Sequence, residues 1–236
     1  MATGEVTWTH DGDTIRGWLA SPDERAGPGL VLVPDVRGLS DHYREVAGRF
    51  AAAGFTTLAV DLYSREGAPA LPDMDAVFRW MRALPDRRVL GDLGSAVAYL
   101  ATGGRRVGVT GFCMGGQYAL MAACALTGVS ACVSWYGMLR AEGRTEAKPE
   151  SPLEMAPRLS CPWLGLYGEE DALIPLADLA ELRAILEREG KAFEIVTYPG
   201  AGHAFYNDSR ADAYRPAAAA DAFPRAVAFL RRHLAG

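Results

Sequence analysis

From residue 30 onward, short apolar runs alternate with amphipathic stretches. The runs at 30–33, 55–60, 107–110, 131–135, 163–167 and 193–198 are nearly continuous, which suits strands buried on both faces. Between them, 41–53 places Tyr43, Val46, Ala47 and Phe50 at helical spacing and stops at Gly54. Further helices are predicted at 75–84, at 91–101 with Leu93, Val97 and Leu100 on one face, and at 117–126. Two more follow, at 176–189 stopped by Gly190 and at 217–234 with an interruption near Pro224. Ahead of them, 5–10 and 15–20 flank the turn signal Asp11, Gly12, Asp13 and read as an antiparallel hairpin at a sheet edge. Residues 64–72 read as a loop near the functional edge, and 139–159 as a polar crossing loop.

This alternation predicts one α/β domain spanning 1–236, with a mainly parallel sheet and no internal repeat or linker. In such sheets the carboxyl ends of the strands form the functional edge. The net charge of -5 argues against nucleic acid or an anionic membrane as a principal partner. No apolar run approaches the roughly 18 to 20 residues that span a bilayer. Residues 1–13 lack a basic leader and an apolar core, and the four cysteines form no tight framework. The expectation is a cytoplasmic protein with reduced thiols, a monomer or small homo-oligomer. Without C-x-x-C or H-x-x-x-H spacing, a phosphate loop or a dinucleotide fingerprint, neither metal nor cofactor is expected.

The chemistry gathers on one stretch. The strand at 107–110 runs into Gly111, Phe112, Cys113, Met114, Gly115, Gly116 and then a helix, the pattern of a sharp strand-to-helix turn with a cysteine at its apex. Side chains two positions before and after the apex would collide with strand and helix, and glycines stand at both places. Gly116 then lets the helix lie close to the sheet. The helix N-terminus favours negative charge, so the turn suits both a thiolate and a developing oxyanion. Cys124, Cys132 and Cys161 lie in apolar surroundings and read as small hydrophobes.

A thiol with a pKa of about 8.5 needs a base at neutral pH. His203, in the loop after the last strand, is the candidate; His10, His42 and His233 read as solvated surface residues. An acid to orient it should follow an earlier strand, where Glu169, Glu170 and Asp171 stand together.

The order nucleophile, acid, histidine is that of α/β-hydrolases. From Gly29 to the C-terminus the chain resembles the dienelactone hydrolase family. The resemblance rests on the G-x-C-x-G-G turn at 111–116, the G-x-x-D-x-x-I-P segment from Gly168 to Pro175, the G-A-G-H-x-F segment from Gly200 to Phe205, and Tyr136, Gly137 after a strand. It implies the α/β-hydrolase fold with Cys113, His203 and Asp171 as the catalytic triad, Asp171 being favoured over Glu170. It further implies an acyl-thioester, an oxyanion hole from the backbone N–H groups of Val36 and Met114, and a small ester or enol-lactone as substrate.

Two departures stand out. Asp35 occupies the place of a glutamate that holds the resting thiol, and the stretch Phe205, Tyr206, Asn207, Asp208 lacks the arginine that grips a substrate carboxylate. Arg37, in the first loop, is either a substitute anchor or a structural partner of Asp35 or Asp61. Tyr136 and Tyr206 are candidates for lining the pocket, whereas Tyr63 and Trp80 read more simply as core. A second functional class, a redox- or ligand-sensing protein with an oxidisable Cys113, is disfavoured because a sensor needs neither acid nor histidine. A non-catalytic binding module is disfavoured by the strained turn.

Overall fold

The computed structural model describes residues 1–22, 27–140 and 143–235. Among these, eight strands form one sheet in the order β1 (Ala2–His10), β2 (Asp13–Ser21), β4 (Thr56–Val60), β3 (Gly29–Val33), β5 (Val107–Phe112), β6 (Val129–Trp135), β7 (Trp163–Gly168), β8 (Phe193–Tyr198). The β1–β2 and β2–β4 pairs are antiparallel, and every pair from β4 to β8 is parallel. Asp11 and Gly12, both with positive φ, close the β1–β2 hairpin in register His10 with Asp13. β3, β4, β5 and β7 are buried along their whole length, as their unbroken apolar runs require.

From β3 the chain crosses through α1 (Asp41–Ala52) to β4 on one side. It then passes through α2 (Met74–Ala83) and α3 (Asp86–Ala101) to β5 on the other side. Right-handed crossovers running in opposite directions put α1 and α3 on opposite faces. α4 (Met114–Ala125) and α6 (Leu176–Arg188) continue in the direction of α3, while α7 (Pro216–Leu234) joins α1 through Phe223 on Phe50 at 5.0 Å. The reversal leaves a crevice between the carboxyl ends of β3 and β5. Loop 34–40 and Cys113 meet there.

Several elements differ from the sequence expectation. α4 begins at Met114, because Gly115 and Gly116 are spent on close packing inside the first turn rather than on a loop. α3 begins at Asp86; Gly91 is an interior residue under the His10 ring, whose Nε2 a Cβ would approach to 2.8 Å. α7 runs through Pro224 without interruption, since both Pro224 and Ala220, whose carbonyl loses its partner, are exposed. The buried stripe of Ala222, Ala226, Val227, Phe229 and Leu230 holds the helix together across that point.

Within 139–159, Ser151 and Glu154 form a reciprocal capping box on α5 (Pro152–Met155), and a single 3₁₀ turn follows. Residues 141–142 of that segment lie outside the described ones. The segment is pinned by Lys148, which is buried and donates to Asp86 Oδ1 at 2.6 Å and to the Tyr118 hydroxyl at 2.5 Å. Among the described residues no helix is long and apolar enough to cross a membrane.

Candidate active site

Cys113 caps the N-terminus of α4 with φ 55° and ψ -119°, a conformation that costs a non-glycine residue about 1–3 kcal/mol. The close approach of three backbone segments leaves no alternative. A Cβ on Gly111 would lie 2.0 Å from the Gly115 carbonyl oxygen, and one on Gly115 would lie 2.1 Å from the Val33 oxygen. The Cys113 side chain does not cap the helix, so the first amides of α4 remain available at its end. Cys113 is also half-buried, unlike the other three cysteines. Burial pushes the Cys124 and Cys161 thiols up to about 12 and the Cys132 thiol well above its ordinary value. Those three are inert at neutral pH.

His203 and Asp171 come from adjacent loops after β8 and β7. The loops are joined by the Glu170 N–H donating to the Ala201 carbonyl at 2.9 Å. Asp171 is buried; its Oδ1 accepts from the Leu173 N–H at 2.9 Å, and its Oδ2 lies 2.8 Å from His203 Nδ1. Glu170 points to solvent and Glu169 accepts from the Thr197 hydroxyl, so of the three acids only Asp171 reaches the imidazole. A proton on Nδ1 leaves Nε2 as the reactive nitrogen. It is buried, and the ring interacts with the Cys113 side chain by charge and hydrogen bonding. Burial works against the imidazolium, but the attraction of a Cys113 thiolate and the bond to Asp171 outweigh it and raise the His203 pKa above 6.5.

The opposite wall is loop 34–40. Asp35 is buried, and its Oδ1 turns back to accept the Arg37 N–H at 2.8 Å, so the shorter carboxylate is engaged in its own loop. Tyr43, Tyr63 and Tyr136 surround the pair formed by Asp35 and Cys113. Burial first, with the Asp35 carboxylate adding to it, pushes all three phenols upward. The Tyr136 ring, held at φ 40°, packs edge-on against His203 with centroids 5.3 Å apart, and the Tyr136 hydroxyl is buried without a partner. Met114 and Val36 are buried on either side of the crevice. Among the described residues, four non-glycine residues have positive φ, and three of them are Cys113, Tyr136 and Ala204, which follows His203.

Two further residues singled out in the sequence have their own neighbours. Tyr206 stacks on Phe112 at 5.7 Å and on Phe223 at 5.9 Å, with its hydroxyl turned to Arg49, and so belongs to the packing between sheet and α7. Arg37 has a half-exposed side chain 3.6 Å from Asp35 and lines a cleft of about 450 Å³ shared with Arg16, Arg44 and Asp61. Asp35 is thus one partner of Arg37, and residues of the N-terminal hairpin line the same cleft.

His42 is a correction. The sequence suggested a solvated histidine, but its side chain is 4% exposed and its Nδ1 lies 3.1 Å from Asp208 Oδ1. Asp208 also binds Arg49 at 2.5 Å, so the loop after His203 is fastened to α1 by two contacts. Arg210, from the same loop, pairs with Asp212 at 2.8 Å and is near enough to Tyr136 for its charge to favour the phenolate. No motif marked these residues. The usable signal was positional, because His42 follows the first loop directly and Asp208 and Arg210 follow the histidine loop.

An elbow at the switch point of a mainly parallel sheet, with an imidazole–carboxylate pair beside it, defines the chain as an α/β-hydrolase. The sequence model of the dienelactone hydrolase family matches residues 15–234. A "Probable 2-oxo-3-(5-oxofuran-2-ylidene)propanoate lactonase" of Bradyrhizobium sp is 36% identical, covering 96% of this chain and 92% of the relative. A carboxymethylenebutenolidase of Rhodococcus opacus is 31% identical over 91% of this chain and 85% of its own length. A crystal structure assigned as a dienelactone hydrolase from Klebsiella pneumoniae superposes with a TM-score of 0.92 at 32% identity, covering 98% of both chains. The chain therefore belongs to the dienelactone hydrolase family, hydrolases that act on ester and lactone bonds.

The burial of His42 generates a pH prediction. Burial and then, among the lowering influences, the Arg49 charge hold its pKa below 6.5, against the pull of Asp208. A depressed folded pKa contributes stability that is complete above the unfolded value and is lost as pH falls through the folded one. The stability advantage of wild type over His42→Gln, taken from urea midpoints, should therefore shrink between pH 7.5 and about pH 5. An advantage that stays constant or grows over that window would contradict the burial account.

Proposed function

We propose that the protein hydrolyses small esters or enol-lactones through a thioester on Cys113, with His203 and Asp171 completing the triad. The observation that carries this reading is the strained Cys113 at the head of α4, beside an imidazole whose Nδ1 is 2.8 Å from a buried carboxylate. The raised His203 pKa favours an imidazolium facing a thiolate, the form in which a cysteine attacks.

The steps follow from that arrangement. The Cys113 thiolate adds to the carbonyl carbon, and the charge moves to the oxygen, where the Val36 and Met114 amides receive it. Removing one such donor typically costs about 10²–10³ in rate. The carbon–oxygen bond then breaks, with the proton on Nε2 of His203 passing to the departing oxygen. In a lactone the released enol stays tethered to the acyl group and can tautomerise to the ketone. Neutral His203 next takes a proton from water, whose oxygen attacks the thioester carbon. The Cys113 thiolate leaves and the acid is released.

The Bradyrhizobium relative is named for a lactone ring that carries a propanoate. That supports an anionic substrate here, with Arg37 or Arg210 supplying the cation in the absence of an arginine immediately after His203. Arg37→Ala should then raise KM for an anionic ester much more than for a neutral one. An equal effect on both removes Arg37 as the anchor, and Arg210→Ala made in parallel tests the other candidate.

The principal experiment is hydrolysis of a short p-nitrophenyl ester and of a dienelactone by wild type and Cys113→Ala. Loss of the nucleophile should lower kcat by at least about 10⁴-fold. A variant that keeps wild-type turnover, or a wild type that reacts with neither compound while Cys113 oxidises readily, would overturn the reading.

A further inference from the structure

We propose that Tyr63 is a positioning residue for the oxyanion hole: together with Asp35 it clamps the peptide unit between Val36 and Arg37, and so fixes the direction of the Val36 N–H. The proposal rests on the reading of Cys113 as nucleophile and Val36 as an oxyanion donor.

The clamp grips both ends of one peptide plane. At one end the Tyr63 hydroxyl donates to the Val36 carbonyl oxygen at 2.8 Å; at the other the Arg37 N–H donates to Asp35 Oδ1 at 2.8 Å. A third bond, from the Gly38 N–H to the Asp35 carbonyl at 3.0 Å, closes the turn. With that plane and the turn both held, the torsions of Val36 have little freedom, and its amide direction is set. Gly38 makes the phenol's approach feasible. It adopts φ +80°, and a Cβ there would meet the Tyr63 ring at 2.8 Å.

The tyrosine is itself immobile. Its ring is fully buried and packs edge-on against Trp80 of α2 with centroids 5.6 Å apart. Its N–H donates to Asp61 Oδ1 at 3.0 Å, its carbonyl accepts from the Gly67 N–H at 2.7 Å, and Asp61 is held by Arg16 at 3.0 Å. Burial, opposed by a hydrogen bond with Trp80 and reinforced by the nearby Asp35 charge, raises the pKa of the phenol, so it remains a donor. Rigidity of this kind lets a donor act without reorganising as charge develops on the substrate oxygen.

The test compares wild type with Tyr63→Phe in two reactions at the same sulfur. Hydrolysis of p-nitrophenyl acetate passes through an oxyanion, whereas alkylation of Cys113 by iodoacetamide is a displacement at saturated carbon and does not. The expected result is a fall in kcat of about 10- to 100-fold with KM changed by less than about twofold, and an unchanged alkylation rate. An unchanged kcat, or an equal fall in both reactions, overturns the proposal, because the phenol then acts on nothing, or on the thiol or the fold as a whole. Tyr63→p-aminophenylalanine keeps a weaker donor at the same place and should lie between the two in kcat, again with unchanged alkylation. Those same outcomes decide the matter from this variant alone if the phenylalanine variant does not fold. Turnover that persists in Cys113→Ala would instead bring down the nucleophile reading on which the proposal rests, and is recognised separately by that variant.

Discussion

The structure depends on one steric constraint, the near-contact of backbone at the β5–α4 elbow. Gly115 lies against the Val33 carbonyl and Gly111 against Gly115, so that β3, β5 and α4 meet with no side chain between them. This contact forces Cys113 into its positive-φ conformation, brings the first amides of α4 beside its sulfur, and places loop 34–40 across from them. The strain is tolerated because α4 is buried along nearly its whole length and cannot relax away from the sheet.

Around that point the molecule is organised as two walls. One carries His203 and Asp171 on loops joined through Ala201, with Tyr136 and Phe205 packing edge-on against each other beside the imidazole. The other carries Asp35, Val36 and Arg37 in a hydrogen-bonded turn backed by Tyr63. Asp208 bridges the walls by binding His42 and Arg49 of α1 from the loop that follows His203. Between and beside the walls lies a shell of buried phenols, Tyr43 and Tyr136 among them, that burial keeps protonated.

The strands and the elbow were legible because their signals are local: unbroken β-branched runs, and glycines at fixed offsets from Cys113. The position of His203 and the cluster of acids after β7 were legible too, since both follow strands on the same edge. What escaped was decided by tertiary contact. His42 has the sequence surroundings of a surface residue and is covered only because the loop after His203 folds over α1. Pro224 reads as a helix break and is not one, because the stripe on either side of it is buried. Tyr63 read as core in the sequence and Tyr206 as a pocket candidate. Only the hydrogen bond of one to Val36 and the stacking of the other on Phe112 and Phe223 tell their parts apart.

The account stands most directly on whether Cys113 carries the acyl group during turnover. Rapid-quench mass spectrometry of the wild type mixed with p-nitrophenyl acetate, followed by peptide mapping, reads this in one step. An acetyl group on the peptide containing Cys113, formed within the first turnover and lost at a rate no slower than kcat, is the predicted result. Steady hydrolysis with no acyl group on Cys113, or with one on another residue, would contradict it.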